Sequence, residues 1–210
     1  MPKLQLYYPC KPYGLFQGFG QCAPPSVCKI YKDLGLAGHN GLDLLAPTGT
    51  VVRAAHDGVV TFSGDDGSAG LGIVIRTEEK FEYKGNLTYL KSVYWHLKTG
   101  CLYVKAGQHV KTGDIIALSD NTGLSTGPHL HFGLKPVYQG EQDWQWLNTE
   151  QGNGFKGAID PEIYFTGQYA EDVKQKRLSD RIEEVVIRLG VDADASVLKA
   201  FAILLRTIGL

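Results

Sequence analysis

Residues 51–76 read VVRAAHDGVVTFSGDDGSAGLGIVIR, and this stretch sets the expected fold. Val51-Val52, Val59-Val60-Thr61-Phe62 and Ile73-Val74-Ile75 are runs of β-branched and aromatic residues. Such side chains fit a pleated, half-buried surface. Asp57-Gly58 and Gly64-Asp65-Asp66-Gly67 interrupt the runs with residues that tolerate tight-turn backbone angles. The pattern continues outward through Ser92-Val93-Tyr94-Trp95 and the turn Thr112-Gly113-Asp114. Strands this short and this closely spaced predict hairpins, hence a mainly β chain folded as a small antiparallel sheet or sandwich. The alternating helices that a parallel α/β sheet needs are missing from the pattern.

Composition supports the same reading. Glycine accounts for 26 of 210 residues, about 12% against a usual ~7%. All nine prolines and 23 of the 26 glycines fall in residues 1–165. Residues 166–210 are expected to form a short two-helix appendage instead. Ile182, Val185, Val186 and Leu189 make one apolar stripe, with Ser179 or Asp180 as cap and Gly190 as stop. Val197, Leu198, Phe201, Leu204, Leu205 and Ile208 make a second, capped by Asp194 or Ser196. The expected division is therefore a β domain over 1–165, with its core at about 16–165, and a helical hairpin over 166–210.

Charge and cysteine usage narrow the function classes. A net charge of −1 leaves no basic field to hold nucleic acid or an anionic membrane. No basic start followed by an apolar core marks a secretory signal in the first thirty residues. The most apolar stretch, Ser196 to Leu210, is too short to span a bilayer and carries Lys199 and Arg206, so no transmembrane segment is expected. Cys10, Cys22, Cys28 and Cys101 lack paired zinc-site spacing. Cys22 and Cys28 bracket a turn-favouring APPSV segment and suit a local disulfide, which would leave Cys10 with Cys101. Four cysteines allow three pairings, and four reduced thiols remain an equal reading.

The histidines carry the chemistry. Gly127-Pro128-His129-Leu130-His131-Phe132 places two imidazoles two residues apart. On a strand that spacing aims both at one face. Gly38-His39-Asn40-Gly41-Leu42-Asp43 sets an imidazole and a carboxylate four apart, where the glycines argue for a loop or bulged strand over a helix. Two imidazoles and a carboxylate make a zinc ligand set with the fourth tetrahedral position open for water. One histidine of the 129/131 pair completes that set. The other, with His96 in Tyr94-Trp95-His96-Leu97, is free for proton transfer and oxyanion support. A His-Glu-x-x-His helix is absent.

GHNGLDL, AAHDGVV, YWHL, VKTGDIIALSDNTGLSTGPHLHF and IDPEIYF occur in this order. Together they resemble the lysostaphin-type (LytM-type) zinc metalloendopeptidases, which cut peptide bonds in bacterial peptidoglycan. The likeness runs from about Phe16 to Phe165. It implies a narrow groove over one Zn2+ per chain, ligated by His39, Asp43 and His131, with His96 and His129 as catalytic histidines. It also implies peptidoglycan as the partner, in stem peptide or cross-bridge. With no signal visible, a phage-encoded, lysis-released or unconventionally exported enzyme is expected. The CAPPSVC segment, the stretch Glu141 to Lys156 and the two-helix tail depart from the family pattern.

Other residues read more plainly. His56 reads as a structural residue of a hairpin and His109 as an exposed turn residue. Trp144 and Trp146 alternate like a half-buried strand, with stacking on glycan as the sharper reading. A silent wall-binding or hydrolase-activating module of the same fold is the alternative function, and a missing ligand would mark it. A biotinyl- or lipoyl-carrier reading of the Val110–Asp114 turn leaves the histidines unexplained.

Overall fold

The computed structural model describes residues 2–142 and 145–188. The chain begins with β1 (Leu6–Tyr8), β2 (Leu15–Gln17) and helix α1 (Pro25–Asp33). It continues through β3 (Leu42–Leu44), β4 (Val51–Arg53), β5 (Gly58–Asp65), β6 (Leu71–Arg76) and β7 (Phe81–Tyr83). Then come β8 (Asn86–Trp95), β9 (Leu97–Leu102), β10 (His109–Val110), β11 (Ile115–Ser119) and β12 (Leu130–Gln139). Strands β13 (Trp146–Asn148) and β14 (Phe165–Tyr169) and helix α2 (Ala170–Arg188) complete the described elements.

The mainly β, antiparallel expectation holds. A nine-stranded sheet has the order β10-β5-β6-β8-β12-β3-β2, with β7 on β8 and β13 on β12. A three-stranded sheet, β4-β11-β9, packs across it. Their shared core holds Ile73, Ile75, Leu90, Tyr94, Leu130, Phe132 and Leu134 from the large sheet and Val52, Leu97 and Ile116 from the small one. Each fully buried side chain of this size removes enough apolar surface from water to contribute about 1.5–3 kcal/mol. The strand period of two then gives the opposite face of β8 and β12 to Val93, Trp95, His131, Gly133 and Lys135. Gly72 on β6 lets this face close up. A Cβ there would lie 1.6 Å from the Trp95 ring, so only glycine allows the indole to lie across the strand.

Three features differ from the sequence expectation. The segment after Cys22 forms a helix where two prolines suggested a turn. Pro25 stands at its first position, where proline's fixed φ suits a helix and its missing N–H costs nothing. Val27, Ile30, Tyr31 and Leu34 follow at helical spacing. Cys22 and Cys28 are joined, while Cys10 and Cys101 are both free, so the second pairing does not form. Cys10 is instead buried, with its thiol 3.9 Å from the Leu45 carbonyl.

The third difference lies at the C-terminal side. Residues 165–169 form β14, which pairs in parallel with β1, and Tyr169 accepts a hydrogen bond from the Tyr13 backbone. Helix α2 starts at Ala170 and runs without interruption past Ser179 and Asp180, since no Gly or Pro falls within it. Ser179 bonds back to the Gln175 carbonyl and caps nothing. Lys11, Arg53, Asp57 and Asp114 pair with Asp172, Glu171, Arg177 and Lys174, docking the first turns of α2 on the β body. Gly190 and the stripe from Val197 to Ile208 lie outside the described residues.

Candidate functional site

Register builds the centre. In the β3–β12 ladder Asp43 stands directly opposite His131, so their side chains leave the same face. His39 enters from the loop before β3 and is held by Gly20 N–H to His39 carbonyl and His39 N–H to Gln21 carbonyl bonds of 2.8 and 3.0 Å. The backbone of Gly41 lets β12 approach, because a Cβ there would meet the His131 ring and the Phe132 carbonyl at 2.7 Å.

The donor atoms converge. Asp43 Oδ1 lies 3.0 Å from His39 Nε2 and 3.1 Å from His131 Nδ1, and those two nitrogens are 3.0 Å apart. The His39 Nδ1–H donates to the Gly18 carbonyl at 3.2 Å. That bond fixes the tautomer and leaves Nε2 bare, facing a carboxylate oxygen. Acceptors aimed at one another at 3 Å repel unless a cation sits among them. Tetrahedral bonds of about 2.0–2.1 Å set donor atoms roughly 3.3–3.4 Å apart, close to the spacing seen. The residues therefore fit a metal ion, as the second hydrogen bond on His39 would also require of a ligating imidazole.

Two further imidazoles border this triangle. His96 follows β8 at φ 64°, a left-handed conformation uncommon outside glycine that turns the chain sharply into β9. Its Nδ1 donates to the Thr122 carbonyl at 2.7 Å. His129 Nδ1 donates to the Gly127 carbonyl at 2.7 Å, and its Nε2 lies 3.3 Å from Asp43 Oδ1. The two rings are 4.7 Å apart. Asp120 ties them together through its backbone, which donates to the His96 carbonyl and accepts from His129 N–H. Both imidazoles thus have Nδ1 tethered and Nε2 available.

Burial and charge divide the groups. Burial would raise the Asp43 carboxyl, but the surrounding imidazoles of His129, His131 and His39 outweigh it and hold the group well below the usual carboxylate range. Burial lowers His96 to about 4 and also lowers His131. Burial acts the same way on His129, but the Asp43 carboxylate overcomes it and raises the imidazole.

The site opens into a cavity of about 330 Å³. One wall comes from α1 through Val27, Ile30 and Tyr31 and from Leu34 just after it, and the facing wall from Leu124, Ser125 and Thr126. Tyr31 stacks on His39 at 5.8 Å and donates to Gln17. Tyr31, Thr122 and Gly18 were missing from the sequence reading. Helical spacing after Pro25 could have signalled Tyr31, whereas backbone carbonyls leave no trace in a sequence.

The other sequence candidates lie elsewhere. His56 is buried outside the cavity, between the Asp57 carbonyl and the Ser92 hydroxyl at 2.9 and 2.8 Å. His109 is exposed on β10 and pairs with Glu78. Trp146 packs edge-on against Tyr89 and beneath Arg76. Trp144 lies outside the described residues.

Comparison with known proteins finds relatives in sequence and in fold. DD-carboxypeptidase/endopeptidase Mpg of Neisseria meningitidis serogroup B is 39% identical over 94 residues, 45% of this chain and 19% of that protein. Peptidoglycan DD-endopeptidase ShyA of Vibrio cholerae serotype O1 is 43% identical over 99 residues, 47% of this chain and 20% of that protein. The chain thus spans about a fifth of the length of these curated relatives. The catalytic domain of the antimicrobial peptidase lysostaphin from Staphylococcus simulans superposes with a TM-score of 0.51 at 26% identity, over 72% of this chain and 91% of that one. A zinc containing peptidase from Vibrio cholerae gives 0.50 at 29%, over 70% of this chain and 39% of that one. The profile of Peptidase family M23 matches residues 37–144, more than half the chain and the whole span from His39 to His131, and the chain belongs to that family.

Proposed function

We propose that this chain is a zinc-dependent endopeptidase that hydrolyses peptide bonds in bacterial peptidoglycan, in stem peptide or cross-bridge. The observation that carries the reading is the triangle of His39, Asp43 and His131 donor atoms beside two imidazoles tethered through Nδ1. The named relatives that act on peptidoglycan supply the substrate class.

In this reading His39 Nε2, Asp43 Oδ1 and His131 Nδ1 hold the zinc. When bound, the ion supplies Lewis acidity for the scissile carbonyl and makes a water more acidic. The remaining work falls to the chain. One Nε2 of the His96–His129 pair takes the proton of the attacking water, and the other steadies the oxyanion. The Thr122 and Gly127 carbonyls keep both rings aimed, so little reorganisation is needed at the moment of reaction. Helix α1 and the 124–126 segment confine an extended peptide over the sheet.

Digestion of purified sacculi followed by mass spectrometry tests this. The expected result is muropeptide fragments split at one type of peptide bond, lost after chelation and regained with zinc. Intact sacculi after incubation with zinc-loaded protein would sink the reading. The silent-module alternative needs a missing ligand or imidazole, and all five side chains are present.

A further inference from the structure

Three cations stand in a row across the site-bearing face of the large sheet. Arg76 on β6 is opposite Lys91 on β8, and Lys91 is opposite Lys135 on β12. Directly opposed residues share a face, and like charges in that position destabilise a sheet. The row lies on the same face as His131, since 131, 133 and 135 alternate with the core residues Leu130, Phe132 and Leu134. Four residues of strand separate His131 from Lys135, about 13 Å. Lys135 and Lys156 line the same cavity as His39, Asp43, His96 and His129.

These cations lack counter-ions. Among the described residues none of Arg76, Lys91, Lys135 and Lys156 has a carboxylate within 4 Å, although Arg76, Lys91 and Lys135 are all partly withdrawn from water, as the paired Arg53 is. Asp66 and Glu78 act on Lys135 and Arg76 from longer range. Arg76 Nε is buried with no hydrogen-bond partner, though the guanidinium is clamped over Trp146 at 4.2 Å and over Tyr89 at 4.9 Å. Lys91 and Lys135 are half-buried, and desolvation lowers both. A fold that needed only packing here would fill the positions with apolar or paired side chains.

We propose that Lys135, with Lys91 beside it in the ladder, forms an anion subsite at the end of the groove that takes a carboxylate of the substrate peptide. Resting on the peptidase reading, this adds a specificity determinant. An extended peptide rises about 3.3 Å per residue, and Lys135 lines the same cavity as the site residues. The recognised carboxylate therefore lies roughly two to four residues from the cleaved bond. A peptide whose carboxylate there is amidated is a poorer ligand.

The test uses the zinc-loaded chain and two stem pentapeptides, N-acetylated and C-terminally amidated. They are identical except that the D-glutamyl α-carboxylate of one is an amide in the other. Binding is read by calorimetry. The acid is expected to bind about 10-fold tighter than the amide, with the ratio shrinking in 0.5 M NaCl as screening grows. Lys135→Met and Lys91→Met, which keep the aliphatic stems, should bring the ratio below about twofold, and Lys135→Arg should preserve it. Equal binding of the two peptides to wild type overturns the proposal. So does a salt-insensitive preference, or one that survives both methionine variants. Sacculus digestion by the wild type separates the two readings: no digestion with carboxylate preference intact removes the hydrolase and leaves the subsite, and the converse does the reverse.

Discussion

Asp43 and His131 meet because they are direct partners in the β3–β12 ladder, which sets Oδ1 3.1 Å from Nδ1. The pair is thus as rigid as the sheet, and loss of either member removes a donor without disturbing the strand pairing. Protein purified without chelator is expected to hold close to one zinc per chain. Asp43→Ala and His131→Ala should each retain less than a tenth of that by elemental analysis. Full retention in both would dismiss the ligand set.

His96 and His129 stand beside the triangle. Their alanine variants are expected to keep zinc while hydrolysis falls roughly 10²–10⁴-fold, the usual contribution of a positioned acid or base. Zinc content and turnover measured on the same preparations check this, and wild-type turnover in both would withdraw the roles.

His56 serves as the structural contrast. Truncation to alanine leaves the Asp57 carbonyl without its imidazole donor and the Ser92 hydroxyl with Tyr94 alone, at a cost of about 1–3 kcal/mol. Zinc content should be unchanged while the thermal midpoint drops. Metal loss comparable to that of Asp43→Ala would contradict a purely structural place.

Burial lowers the His56 imidazole, so the folded chain favours its neutral form. The unfolded chain takes up this proton near pH 6.5, where the folded one does not. The unfolded state then binds more protons, so stability falls as pH drops below about 6.5 toward the lower folded value. Urea midpoints at pH 7.5 and 5.5 should fall further for wild type than for His56→Gln. Parallel falls would show that His56 is not the group responsible.

The C-terminal boundary gains a sharper test. A chain ending at Phe165 loses most of β14, the Tyr169 hydroxyl bonded to Tyr13 and the buried Ala170. It is expected to be less stable than the full chain by about 3 kcal/mol, from lost aromatic burial and one lost hydrogen bond. Equal denaturation midpoints would show that this strand pair contributes nothing.

The β character, the turns and the five side chains that the structure brings together at His39, Asp43, His96, His129 and His131 were legible in the sequence. Strand periodicity and glycine placement are local properties, and His-x-His or His-x-x-x-Asp spacing is meaningful on a strand or at its edge. Helix α1 was obscured because the prolines that start it also favour turns. The placement of β14 beside β1 was hidden for another reason: parallel pairing of segments some 160 residues apart has no local signature.

By itself the sequence determined which side chains the chain can bring to a site: the imidazoles of His39, His96, His129 and His131 and the carboxylate of Asp43. Only the tertiary structure decided where each group points. Register opposed Asp43 to His131, the positive φ of His96 turned its ring inward, and carbonyls of Gly18, Thr122 and Gly127 chose the tautomers. The same registers aligned Arg76, Lys91 and Lys135 across three adjacent strands. Side-chain type is fixed by the gene, but convergence depends on backbone pairing across the sheet, which is a sum of many non-local contacts.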